Sequence, residues 1–178
     1  AMAISMLGWP TEVAKPTPKK DQILVKIHSS SVTSGDARIR RADPWVIRLI
    51  FGFNRPRKSV LGVVVAGEIE SVGSEVSKFK VGDKVFGTTG MSFGAHAEYQ
   101  CINENGTLAL IPEKMTYNEA AAIPFGATAA LHFLRKGNVK AGQKVLIYGA
   151  SGALGTIAIQ LAKELGAHVT AVCSDENG

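Results

Sequence analysis

From Lys144 to Cys173 the chain reads KVLIYGASGALGTIAIQLAKELGAHVTAVC: a short β-branched run, a glycine turn, an amphipathic stretch and a second apolar run. Lys144 to Tyr148 suits a buried parallel strand, and Gly149, Gly152 and Gly155 open the segment after it. Ile157, Ala158, Leu161, Ala162 and Leu165 recur at helical spacing, Gly166 is a natural stop, and His168 to Cys173 reads as the next strand. This order predicts a βαβ unit. A helix N-terminus carries partial positive charge and glycines allow close backbone approach. The turn Gly149, Ala150, Ser151, Gly152, Ala153, Leu154, Gly155 is therefore the expected seat of a dinucleotide pyrophosphate. Against G-x-G-x-x-G, Ala150 stands at the first glycine and Gly149 lies one place earlier. The competing reading is a βαβ unit in a sheet that binds no nucleotide.

Composition narrows the class. At 178 residues and 46% hydrophobic content the chain can bury a proper core, in one large or two small domains. The longest uncharged apolar stretch, Ala120 to Leu134, is too short to span a bilayer and contains Pro124 and Gly126, so no membrane span is expected. No basic region followed by an apolar run and a small-residue cleavage site opens the sequence, and a cytoplasmic protein is expected. Cys101 and Cys173 fall in different predicted strands, which suits reduced, buried thiols better than a disulfide. The net charge of +5 includes a basic run, Arg38, Arg40, Arg41, Arg48, Arg55, Arg57 and Lys58. Trp45, Val46, Ile47, Leu49, Ile50 and Phe51 are interleaved with it. That is an amphipathic segment rather than a nucleic-acid arm, and a solvated face is preferred to a substrate loop.

Along the chain, Gln22 to about Ile111 reads as strands and turns: Ile23 to His28 alternates, Val63 to Val72 is a longer strand, and Val81 to Phe86 follows a Lys-Val-Gly-Asp turn. Helices begin at Thr116, which with Glu119 forms a capping box. Pro124 and Gly126 predict a break, and a second helix is expected from about Ala127 to Lys136, ended by Gly137. The domain boundary is expected near Pro112, giving a β-rich part over 1–112 and an α/β part over 113–178.

The ordered stretches VTSGDARIR, VVVAGEIESVGSEV, FKVGDKVFG, GAHAEY and NEAAAIPFGATAALHFL, followed by the glycine-turn βαβ, resemble the medium-chain dehydrogenase/reductase superfamily. Within it the chain is most similar to the zinc-free quinone oxidoreductase branch. The resemblance implies an α/β protein: a GroES-like catalytic domain followed by a truncated Rossmann domain, with substrate and nicotinamide in the cleft between them. It implies a homodimeric full-length form, hydride transfer from NADPH to a quinone or activated enone, and a longer chain, since the family continues its sheet where Gly178 falls. It also implies a missing N-terminal strand between Gly8 or Trp9 and Val13 or Lys15.

Zinc-dependent relatives place a cysteine ligand at Thr33 and a histidine ligand at Val63. A catalytic zinc needs about three protein ligands and a structural zinc about four cysteines, which two cysteines cannot supply. His28, His96, His132 and His168 show no ligand spacing. No metal site is expected, and the chemistry falls to the cofactor. By family position Thr33 and Asp36 face the nicotinamide and Thr128 meets the cofactor, as catalytic residues. Asp36 equally suits a cap before Ala37, and Thr128 a helix residue bonding a backbone carbonyl. NAD enzymes usually carry a carboxylate at the end of the second strand. Cys173 and Ser174 stand there instead, so NADPH is expected, with Ser174 donating to the 2′-phosphate, although Asp175 or Glu176 leaves NADH open. Two other functions remain: a non-catalytic NADPH-binding protein, and a zinc alcohol dehydrogenase relative with unusual ligands.

Overall fold

The computed structural model describes residues 1–4, 10–43, 46 and 60–174, and divides them into two compact units, Ala1–Ala122 and Ile123–Gly178. The first unit is built on strand β4, Val64–Val72, whose apolar run is buried on both faces. Strand periodicity sends Val65 and Ile69 into one core with Ile23, Val25, Val85 and Ile102, and Val64 and Ala66 into another with Ile111, Ala120 and Ala121. Around it β1 (Met2–Ile4) pairs with β2 (Pro10–Glu12), and β3 (Gln22–Ser29), β5 (Lys84–Thr88), β6 (Tyr99–Asn103) and β7 (Thr107–Leu110) complete an antiparallel sheet of order β6-β3-β4-β5-β7. Helix α1 spans Ser34–Arg41 and α2 spans Tyr117–Ala122.

Several expectations shift. The N-terminal link carries strand β2 rather than lacking one; Gly8 and Trp9 lie outside the described residues. β5 starts at Lys84 rather than Val81, because Asp83 folds back to accept the Lys80 N–H at 2.9 Å and holds the preceding residues in a turn. β3 buries Leu24 between Ile23 and Val25 instead of alternating, beside a register shift at Leu24/Val25. The first compact unit runs on to Ala122, since Ala120 and Ala121 pack on β4.

In the second unit α3 runs unbroken from Pro124 to Lys136. Proline at the first helical turn lacks only an N–H that would be orphaned there anyway, so the expected break becomes a start. Gly126 is kept inside the helix by packing: a Cβ there would lie 2.5 Å from Ala153 O. Gly137 caps the end, and Asn138 takes the left-handed conformation with φ 51°. Strands β8 (Lys144–Tyr148) and β9 (His168–Val172) are parallel, joined through α4 (Ala153–Glu164), with Gly166 at φ 78° after it. Ala130, Leu134, Ile147, Ala158 and Ala162 form the core, while Leu146 and Tyr148 are exposed. Among the described residues no helix is long and apolar enough to cross a membrane.

Candidate functional site

The β8–α4 turn is fastened to the end of β9. Gly149 and Ala150 both donate their N–H to Val172 O, at 2.9 and 3.0 Å, and Gly152 N–H donates to Gly149 O at 3.2 Å. Gly149 holds φ 73°, which favours glycine. Gly155 is needed for room, because a Cβ would sit 2.2 Å from Gly149 O. Gly152 differs: it is the N-cap residue in extended conformation, and a Cβ there meets only Gly149 O at 3.5 Å. Among the described residues no side chain caps α4, and its first turn carries no acidic residue. Thr156 N–H takes up Gly152 O at 2.9 Å, but the N–H groups of Ser151, Ala153, Leu154 and Gly155 make no hydrogen bond to the described residues. Ser151, Ala153 and Leu154 are exposed and Gly155 is buried, so the turn keeps three unbonded donors on exposed residues at the positive end of a twelve-residue helix. Ser174 is exposed just past β9, next to exposed Cys173; Asp175 and Glu176 lie outside the described residues. The exposure of Cys173 departs from the expected buried thiol, because the strand ends one residue before it.

Thr33 and Asp36 are brought together in the first unit. Thr33 donates its N–H and its hydroxyl to Asp36 Oδ2, at 2.8 and 2.7 Å, and accepts from Asp36 N–H at 3.3 Å. Asp36 Oδ1 accepts the Gly62 N–H at 3.1 Å. Asp36 is 4% exposed, so a buried carboxylate is matched by three donors while closing α1. Beside it the His96 ring packs against Gly62, with Nε2 buried and unpartnered among the described residues. Thr128 is on α3 and donates its hydroxyl to Pro124 O at 2.9 Å. Both arrangements follow the cap and backbone-bonding alternatives open to these residues.

Two positions carry roles that the sequence did not assign to them. Gly62 is the far anchor of Asp36, and Gly126 lets α3 approach the start of α4. An LG pair before the VVVAG run, and a glycine inside an otherwise helical pattern, were the available signals. Among the described residues no three His, Cys, Asp or Glu side chains gather as a metal site. Of the basic run, Arg38, Arg40 and Arg41 lie in the last turn of α1, where cations suit the helix dipole; Trp45, Ile47 to Phe51, Arg55, Arg57 and Lys58 lie outside the described residues.

The family described as "Alcohol dehydrogenase GroES-like domain" matches residues 19–113. The chain is 38% identical over 170 residues to the quinone oxidoreductase of Sus scrofa, covering 94% of this chain and 49% of that protein. It is 32% identical to the 2-methylene-furan-3-one reductase of Solanum lycopersicum, over 92% of this chain and 42% of that one. It superposes on the crystal structure of the Escherichia coli quinone oxidoreductase complexed with NADPH with a TM-score of 0.79 and 25% identity, covering 99% of this chain and 54% of that one. The chain belongs to the alcohol dehydrogenase GroES-like family of the medium-chain dehydrogenase/reductase superfamily, and relatives it matches are named quinone oxidoreductase. It spans about half the length of the curated relatives it matches.

Proposed function

We propose that the full-length protein is an NADPH-dependent, zinc-independent oxidoreductase that transfers hydride to a quinone or an activated enone. The observation that carries this reading is the open start of α4: the exposed residues Ser151, Ala153 and Leu154 have N–H groups that make no hydrogen bond among the described residues, and the first turn carries no acidic residue. This donor set fits a pyrophosphate, which brings the charge and the acceptors the helix end lacks. The names of the pig and tomato relatives, and the NADPH in the E. coli structure, support the cofactor and acceptor classes. A bound nicotinamide would supply the hydride.

In this reading the protein's own residues bind and position. Ser174 donates to the 2′-phosphate, and no carboxylate at Cys173 repels it. Thr33 and Asp36 act through position, because their hydroxyl and carboxylate are spent on each other and on Gly62; they hold the Val32–Gly35 loop in one shape. Thr128 meets the cofactor from α3. The oxygen of a quinone or enone that gains charge needs hydrogen-bond donors rather than a strong acid. Thr33 and Val63, at the positions of zinc ligands in related enzymes, offer no imidazole or thiolate to a metal.

The test is steady-state turnover by the full-length protein with quinones, enones and primary alcohols, with and without chelator. Expected are chelator-insensitive NADPH oxidation by a quinone or enone, a higher kcat/KM for NADPH than for NADH, and background rates on alcohols. NADPH binding without turnover on any acceptor would leave a cofactor-binding protein. Chelator-sensitive alcohol oxidation restored by zinc would reverse the reading.

A further inference from the structure

Strands β6 and β7 are the two edges of the five-stranded sheet, yet they are consecutive in the chain, joined by a turn in which Gly106 N–H donates to Asn103 O at 2.9 Å. Beside this turn lies a recess of about 330 Å³, walled by Gln22, Thr88, Ser92, Cys101, Asn103 and Thr107 among others. That volume is at the lower end of small-molecule sites, roughly 300–1,000 Å³. Among the described residues no charged side chain lines it.

The hydrogen bonds of its walls can be accounted for one by one. Asn103 is spent, donating to Asp21 and accepting from Asn105 N–H. Gln22 accepts the Lys19 N–H at 3.1 Å, which occupies its oxygen and leaves its NH₂ unused. The hydroxyls of Thr88, Ser92 and Thr107 make no hydrogen bond to the described residues. Three hydroxyls and an amide NH₂ therefore line one recess with donors to spare, and each hydroxyl can also accept. Ile102 adds a small apolar patch.

We infer that this recess is a binding site for a small uncharged polyhydroxylated molecule. Hydroxyl groups match walls that both donate and accept, whereas a carboxylate or phosphate would be desolvated with no cation to meet it. The walls include none of Thr33, Asp36 and the α4 turn, so this site stands or falls separately from the proposed oxidoreductase chemistry.

Cys101 in the wall is a built-in reporter, and exposed Cys173 its internal control. Burial pushes the Cys101 thiol above its ordinary value, so alkylation by iodoacetamide is run at alkaline pH and followed peptide by peptide in the full-length protein. The probes are glucitol and myo-inositol, with gluconate as the charged counterpart. Expected is saturable slowing of Cys101 alkylation by about threefold or more, with a Kd on the order of 1 mM as a few neutral hydrogen bonds support, and no change at Cys173. Ser92→Ala with Thr107→Val should abolish the protection, and Thr88→Val alone should weaken it if the double variant does not fold. Equal slowing of both cysteines, equal protection by gluconate, protection that survives the variants, or no protection by either polyol would each overturn the assignment.

Discussion

At the start of α1 the chain answers its own orphan N–H groups; at the start of α4 it does not. Thr33 and Asp36 close the first helix with mutual bonds of 2.7 to 3.3 Å, and Thr116 and Glu119 repeat the same geometry at α2, at 2.8, 2.7 and 3.3 Å. In each case a carboxylate three residues past the threonine sits on the positive end of the helix. At α4 the corresponding N-cap is Gly152, without a side chain, and the first turn is Ala153, Leu154, Gly155. The difference teaches where an external anion can act. A helix start already neutralised by aspartate or glutamate has nothing to offer a phosphate, while the uncapped one keeps both its donors and its charge.

The largest effect is expected where the open start has no spare room. Gly155→Ala forces a Cβ to within 2.2 Å of Gly149 O and 2.7 Å of Ala150 Cα, both backbone, and should destabilise the protein by about 3 kcal/mol in denaturant unfolding. A loss under about 1 kcal/mol would show that the turn relaxes more readily than its contacts suggest. Next comes the closed start: Asp36→Ala strands the Thr33 and Gly62 donors in a buried setting and should cost about 2 kcal/mol, with Asp36→Asn recovering part.

Converting the open start into a closed one should separate stability from binding. Gly152→Asp has room for its side chain and supplies the missing cap, so thermal stability should hold or rise by a few tenths of a kcal/mol. NADPH affinity, read by calorimetry on the full-length protein, should fall by at least about tenfold, because the new carboxylate takes the seat of the phosphate. Unchanged affinity would remove the helix start from the binding site. The smallest effect concerns Glu119, whose carboxyl is held below the ordinary carboxylate range first by the Thr116 N–H and then by the Thr116 hydroxyl. A depressed value stabilises the fold fully above that range and loses the contribution as pH falls through the folded value. The Tm gap between the protein and Glu119→Gln should therefore be small at neutral pH and close on acidification. A gap that widens in acid would contradict the capping geometry.

The second unit was legible because its signals are local. β-branched runs, helical spacing from Ile157 to Leu165 and a stop at Gly166 each act within a few residues, and β8, α4 and β9 appear where those signals place them. The capping box at Thr116 and Glu119 was legible for the same reason. What escaped depends on partners distant in sequence. Asp36 binds Gly62 across 26 residues, and Gly126 survives inside α3 because Ala153 lies against it. Pro124 was misread as a breaker because the same residue ends one helix pattern and begins another, and local sequence does not say which. The candidate site was legible as a turn and a list of residues. Which of its N–H groups were already spent was visible only once Val172 lay beside Gly149 and Ala150.

Gly149 and Gly155 are both glycine, but only one of them is a matter of volume. Nothing lies within 4 Å of a Cβ built at Gly149, whose constraint is the sign of its φ, 73°. The requirement there is one of handedness. A mirror-image alanine introduced by chemical ligation prefers that same dihedral, and would stiffen the unfolded chain by removing conformations that glycine samples, whereas ordinary L-alanine is strained at the same position. At this turn the chirality of a single atom, rather than its size or polarity, sets the strain of a substitution, a cost of about 1–2 kcal/mol that the chain itself bears at Ala42, with φ 53°.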